Sequence, residues 1–252
     1  MENNEIKDKN NKKSVVVLVF LILLMIVIAV IAVIVTVHII NENEKRKMQM
    51  QQEEIYYNNN NCGGGFDKPI IYLYPEETTN ISIKFGKEDL ITCSYPKYED
   101  GWNVIANPDG TLIDTNTNRK LYALYWEGKG TVKDNFNEGF VVKGEDSINF
   151  LEEKLNLLGL NERESEEFIV YWLPILEKNK YNYIRFATTE EMNEYMPLEF
   201  STNPDTLIRV LMEFKGVDEY IEIPEQQINT PERKGFTVVE WGGTEITGDV
   251  IK

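Results

Sequence analysis

The sequence predicts an α+β domain with a largely antiparallel sheet and a central helical hairpin, preceded by one transmembrane helix. Three observations lead there. Short β-rich runs bounded by Gly, Pro and Asn fill residues 66–142 and 181–241. Apolar residues recur at three- and four-residue spacing between 148 and 176. Residues 15–37 are apolar almost without interruption. Strands, then helices, then strands argue for segregated α+β architecture.

The apolar run Val15–Val37 holds one polar residue, Thr36, and no charge. As a helix it would extend roughly 35 Å, enough to cross a hydrocarbon core about 30 Å thick. A cleavable signal peptide has a shorter apolar centre and a small-residue cleavage site, and neither fits. Residues 1–14 are then a short tail and 15–40 the transmembrane helix, a signal-anchor whose partner is the lipid bilayer. Lys7, Lys9, Lys12 and Lys13 precede the span, against Lys45, Arg46 and Lys47 after it. The balance places the tail inside and the C-terminal domain outside the cell, single-pass.

Residues 41–65 form a polar stalk and hinge. The stretch 41–57 is rich in helix formers without an apolar face, and Asn58–Asn61 with Gly63–Gly65 break it. The domain occupies 66–252 and holds 19 Lys/Arg against 35 Asp/Glu, the whole of the net charge of −16. So acidic a domain repels nucleic acid, and no basic stripe interrupts it.

Strands are expected at Pro69–Pro75, Ile81–Phe85, Asp89–Tyr95, Trp102–Ala106, Leu121–Trp126 and Gly139–Val142, as an antiparallel meander, with a turn at Pro108–Gly110. Ile148, Leu151, Leu155 and Leu158 mark the first helix, and Gly159 ends it. Asn161 with Glu164 starts the second as a capping arrangement. Phe168, Ile169, Trp172, Ile175 and Leu176 form its apolar side, with Pro174 kinking or shortening it. Strands follow at Tyr181–Ala187, Thr206–Phe214, Tyr220–Ile223 and Phe236–Trp241, with a short helix over Thr189–Tyr195.

The segments KPIIYLYPEE (68–77), YPKYEDGW (95–102), LYWEG (124–128), EFIVYWLP (167–174) and TVVEWGG (237–243) resemble a family of uncharacterised bacterial proteins, many of them clostridial. The likeness spans most of 67–243 and implies a shared fold. It carries no assigned activity and no site residues.

The lone histidine, His38, lies at the edge of the span, so the domain holds no histidine for a Ser–His–Asp or Cys–His site or an imidazole-bound zinc. No phosphate-binding glycine motif occurs, and no cofactor or metal is expected. The Asp114–Asn116–Asn118 spacing starts like an EF-hand loop, but Arg119 and Tyr125 stand where that loop needs Gly and Glu. It is expected to be a hairpin loop bonded to its own backbone. Cys62 and Cys93 are open to three readings: a bridge, two thiols, or a bond between chains.

Carboxylates remain for acid–base work. Glu127 beside Trp126 and Glu240 beside Trp241 are the candidate catalytic pair of a carbohydrate-active hydrolase, with Trp126, Trp241 and Trp102 as candidate binding rings. The competing expectation is structural. Arg209 and Arg185 sit in apolar strands and need carboxylate partners if covered, since an unpaired buried charge costs roughly 3–5 kcal/mol. Glu127 and Glu240 can supply them. The reading favoured by the residues is an anchored binding or scaffolding module at the envelope, with a glycan or protein partner, and the hydrolase is its rival.

Overall fold

A computed structural model describes residues 65–130, 132 and 137–246, together with Thr36, Glu44, Lys45 and Lys47. Residues 1–61 form one unit and 62–252 a second. The four described residues of the first unit are helical and exposed. The transmembrane helix expected over 15–40 lies, apart from Thr36, outside the described residues, and among those described no helix is long and apolar enough to cross a membrane.

The second unit is mixed α/β with mostly antiparallel sheets. Its larger sheet has seven strands in the order β3 (Ile91–Tyr95), β7 (Leu124–Lys129), β1 (Gly65–Tyr74), β12 (Thr237–Glu245), β11 (Thr206–Val217), β9 (Tyr181–Ala187) and β8 (Phe140–Lys143). The smaller has five, in the order β10 (Leu198–Phe200), β2 (Thr79–Phe85), β4 (Trp102–Ala106), β5 (Leu112–Asp114) and β6 (Lys120–Leu121). The expected single meander is therefore corrected. β2, β4, β5 and β6 do form a meander, whereas β3 and β7 join the other sheet beside β1. β11 and β12 pair in parallel, because the loop 218–236 carries the chain back to the same end of the sheet. Tyr220–Ile223 is not a strand; it belongs to that loop.

Side-chain alternation along the large sheet creates two cores. Tyr72, Ile184, Val210, Met212, Val239 and Trp241 face the helical hairpin of α1 (Ser147–Leu157) and α2 (Glu162–Leu176), meeting Leu151, Leu155, Phe168 and Trp172. Ile71, Leu73, Leu124, Trp126, Leu211 and Val238 face the small sheet, packing on Ile81, Ile83, Phe85 and Trp102. A third helix, α3 (Thr189–Tyr195), closes the same side through Met192 and Tyr195.

Local chemistry sets the hairpin. Gly159 takes φ +86 at the end of α1, a conformation that costs other residues strain, and Leu160 N–H closes on Leu155 O at 3.1 Å. A Cβ there would press on Pro231. Asn161 Oδ1 accepts from Glu164 N–H at 3.0 Å while Glu164 Oε2 accepts from Asn161 N–H at 2.8 Å, a reciprocal cap. Pro174 lies inside α2, which ends two residues later at Leu176.

Candidate functional site

Arg209 on β11 and Glu240 on β12 are register neighbours across the parallel pair. Arg209 Nε donates to Glu240 Oε2 at 2.6 Å, and the indole of Trp126 donates to Oε1 at 2.8 Å. The rest of the guanidinium grips α3: Nη1 donates to Met192 O at 3.1 Å, Asn193 Oδ1 at 2.9 Å and Met196 O at 2.7 Å. Glu240 is 1% exposed and Arg209 2%. One strand over, Arg185 and Glu213 are also register neighbours, joined at 3.0 Å, and Arg185 reaches Glu191 of α3 at 2.7 Å. Burial lowers the Arg185 pKa, but the hydrogen bonds and fields of Glu191 and Glu213 outweigh it and hold the group firmly charged. Two buried arginines thus dock α3 on the sheet.

The structure does not bring Glu127 and Glu240 together in a cleft. Trp126 and Glu240 occupy the face toward the small sheet, and alternation along β7 turns Glu127 to the helix-facing side. Nor do the three tryptophans offer an open face. Trp126 and Trp241 are fully buried and Trp102 nearly so. Trp102 donates to Pro96 O at 2.8 Å and stacks edge-on with Phe85 and Tyr98. Trp241 donates to the Tyr72 hydroxyl at 3.2 Å and packs against Phe168.

Glu127 has a neighbour that the sequence did not mark. Asp67 lies where β1 bulges between Asp67 and Ile70, a kink that accommodates Pro69, which has no N–H to give. Burial first, then the charges of Glu127 and Glu245, push the Asp67 carboxyl up to about 6. Glu127 is 6% exposed, and its Oε2 has no hydrogen-bond partner among the described residues. Lys68, the next residue in the bulge, adopts φ +59 and holds its ammonium 5.0 Å from the ring centre of Tyr171 and 5.6 Å from that of Tyr125. The available signal was an acid directly before the KPIIYLYP run. Among the described residues no group of acidic side chains has the geometry to hold a metal.

The Asp114 loop is bonded to itself. Asp114 accepts from Asn116 N–H at 3.3 Å and from the Thr117 hydroxyl, and Asn118 takes φ +56 with its N–H on Asp114 O at 2.8 Å. Cys93 is half-buried on β3 opposite Glu127, and Cys62 lies outside the described residues.

A cavity of about 330 Å³ opens at the other end of the large sheet. It forms because β9 stops at Ala187 while β11 begins five residues beyond their last pair, Leu211 with Ala187. Thr188 diverts the chain by capping α3, its hydroxyl accepting from Glu191 N–H at 3.3 Å. Phe186, Ile208 and Val210 give the cavity an apolar floor; Thr188, Glu190 and Gln227 give it a polar rim. Size and lining are those of a ligand pocket. The docking of α3 by Arg209 and Arg185 shapes one wall.

No family model matches the chain, and no solved structure matches it. Over 64 residues it is 38% identical to "Uncharacterized protein in bglA 3'region" of Butyrivibrio fibrisolvens. That match covers 24% of this chain and 65% of the relative, so the chain spans a little under two thirds of the relative's length. A relative of uncharacterised function is in keeping with the resemblance to an uncharacterised family.

Proposed function

We propose that the chain is a single-pass protein of the cell membrane whose residues 66–252 act outside the cell as a binding or scaffolding module, with an envelope glycan or protein as partner. The apolar run at 15–40 supports the anchoring and its lysine-flanked start the orientation. The observation that carries the binding role is the cavity beside β11, an apolar floor with neutral polar groups and a single exposed acid around its mouth. A hydrolase built on Glu127 and Glu240 gains no support, since Glu240 is spent on Arg209 and Trp126.

The test is a screen of glycans, peptidoglycan fragments and peptides against the full-length chain in detergent, run in parallel with Gln227→Trp, which plugs the exposed rim. The reading expects at least one class to bind the unaltered chain and to bind the plugged chain about tenfold more weakly or worse, the loss of about 1.4 kcal/mol of contact. Absence of binding across all classes, or binding indifferent to the plug, contradicts it.

A further inference from the structure

We propose that the cavity takes an extended peptide, added as a short strand against the open edge of β11; this rests on reading the cavity as the ligand site. β9 pairs with β11 only from Ala187–Leu211 to Tyr181–Val217. The stretch Thr206–Val210 has β12 as its strand neighbour on one side and no paired strand among the described residues on the other. The Arg209 N–H points to that other side, where it donates to Thr189 Oγ1 at 3.1 Å. Backbone groups of a strand alternate in direction, so the Arg209 carbonyl and both backbone groups of Leu207 are turned toward the cavity as well. An edge of this kind recruits an extended chain through main-chain hydrogen bonds.

On the opposite edge of β9, past the end of β8, the protein makes an amide pairing of this kind itself. The Gln226 carboxamide accepts from Phe186 N–H at 2.9 Å and donates to Phe186 O at 2.7 Å, the bonding that a peptide unit would make. With Thr189 holding the Arg209 N–H, the groups turned to an occupant are the Leu207 N–H and C=O and the Arg209 C=O, within reach of an extended segment of about four or five residues at ~3.3 Å each. Its alternate side chains would meet Ile208, Val210 and Phe186, so they are apolar. The exposed charge on the rim is Glu190, and the Arg209 guanidinium is turned away to Glu240. The intervening side chains are therefore basic, in keeping with a domain that carries 35 acidic against 19 basic residues.

The probe is the peptide Ac-Lys-Val-Lys-Val-Lys-NH2 carrying a fluorophore, titrated by anisotropy into the full-length chain in detergent. Two companions carry N-methyl groups on alternate backbone nitrogens, one set for each register. Saturable binding is expected, weakened about tenfold or more (about 1.4 kcal/mol) by one methylated set, because that set loses the main-chain hydrogen bonds that face β11. Glu190→Lys, an exposed substitution, should weaken the probe severalfold. Equal binding of all three peptides overturns strand addition, as does no binding. If the probe fails while a glycan or peptidoglycan fragment still binds in a manner sensitive to Gln227→Trp, the peptide is wrong and the ligand cavity stands. If nothing senses that plug, both fall.

Discussion

Arg209 Nε and Glu240 Oε2 meet at 2.6 Å across neighbouring parallel strands, with the Trp126 indole completing the carboxylate from a third strand. The glutamate that stands beside a tryptophan in the sequence is thereby a cross-strand ion partner. Because the same guanidinium holds the carbonyls of Met192 and Met196, the pair ties the sheet to α3.

Removing either charge strands the other in the core. Glu240→Leu and Arg209→Met are each expected to destabilise the domain by about 3–5 kcal/mol, while the double substitution costs substantially less than the sum. Urea unfolding of the three variants measures the coupling. Additive losses would mean the ion pair is not the source.

Asp67 ties stability to pH. Its usual value of 3.8 rises to about 6 in the fold, so the folded state holds the proton more tightly than the unfolded chain. The resulting stabilisation is complete below about pH 4 and is lost as pH rises through about 6. Asp67→Asn removes the charge that forms above that range and should stabilise the protein at pH 8 by about 1 kcal/mol, a figure discounted for the solvent that reaches this half-buried group. Thermal melts of both forms from pH 4 to 8 check it; the gap should close toward pH 4.

Glu164 serves three partners at once. It caps α2, accepts the Tyr74 hydroxyl at 2.7 Å and pairs with Arg233 of the long loop, while fully buried. Glu164→Ala should cost about 2–4 kcal/mol, and Glu164→Gln less, since it keeps part of the hydrogen bonding. Chemical denaturation separates the two.

Protease treatment of intact cells tests the orientation. An exported domain is trimmed from whole cells and leaves a short membrane-held fragment. A domain on the inner side survives until the cells are broken.

The helical hairpin was legible because period, Gly159 and the Asn161–Glu164 cap all act within a few residues. The partition of strands between two sheets was not. β2 and β3 carry similar runs, and nothing local tells Ile81–Phe85 to pair with Trp102–Ala106 while Ile91–Tyr95 crosses to β7. The parallel pairing of β11 with β12 is likewise a property of the loop between them. Trp126–Glu127 and Glu240–Trp241 look alike in sequence, yet register aligns Trp241 with Tyr125 across Ile70, so the two tryptophans, and with them the two carboxylates, fall on opposite faces. The cavity left no trace in composition, because it comes from an offset between the ends of β9 and β11.

The claim that ligand sits in that offset is tested most directly by hydrogen–deuterium exchange of the full-length chain, with and without whichever compound binds in the screen. Slowed exchange confined to 206–210 and the wall at 226–231 is the predicted result. Protection centred instead on the Asp67–Lys68 bulge or on the small sheet, with 206–210 unchanged, would contradict it.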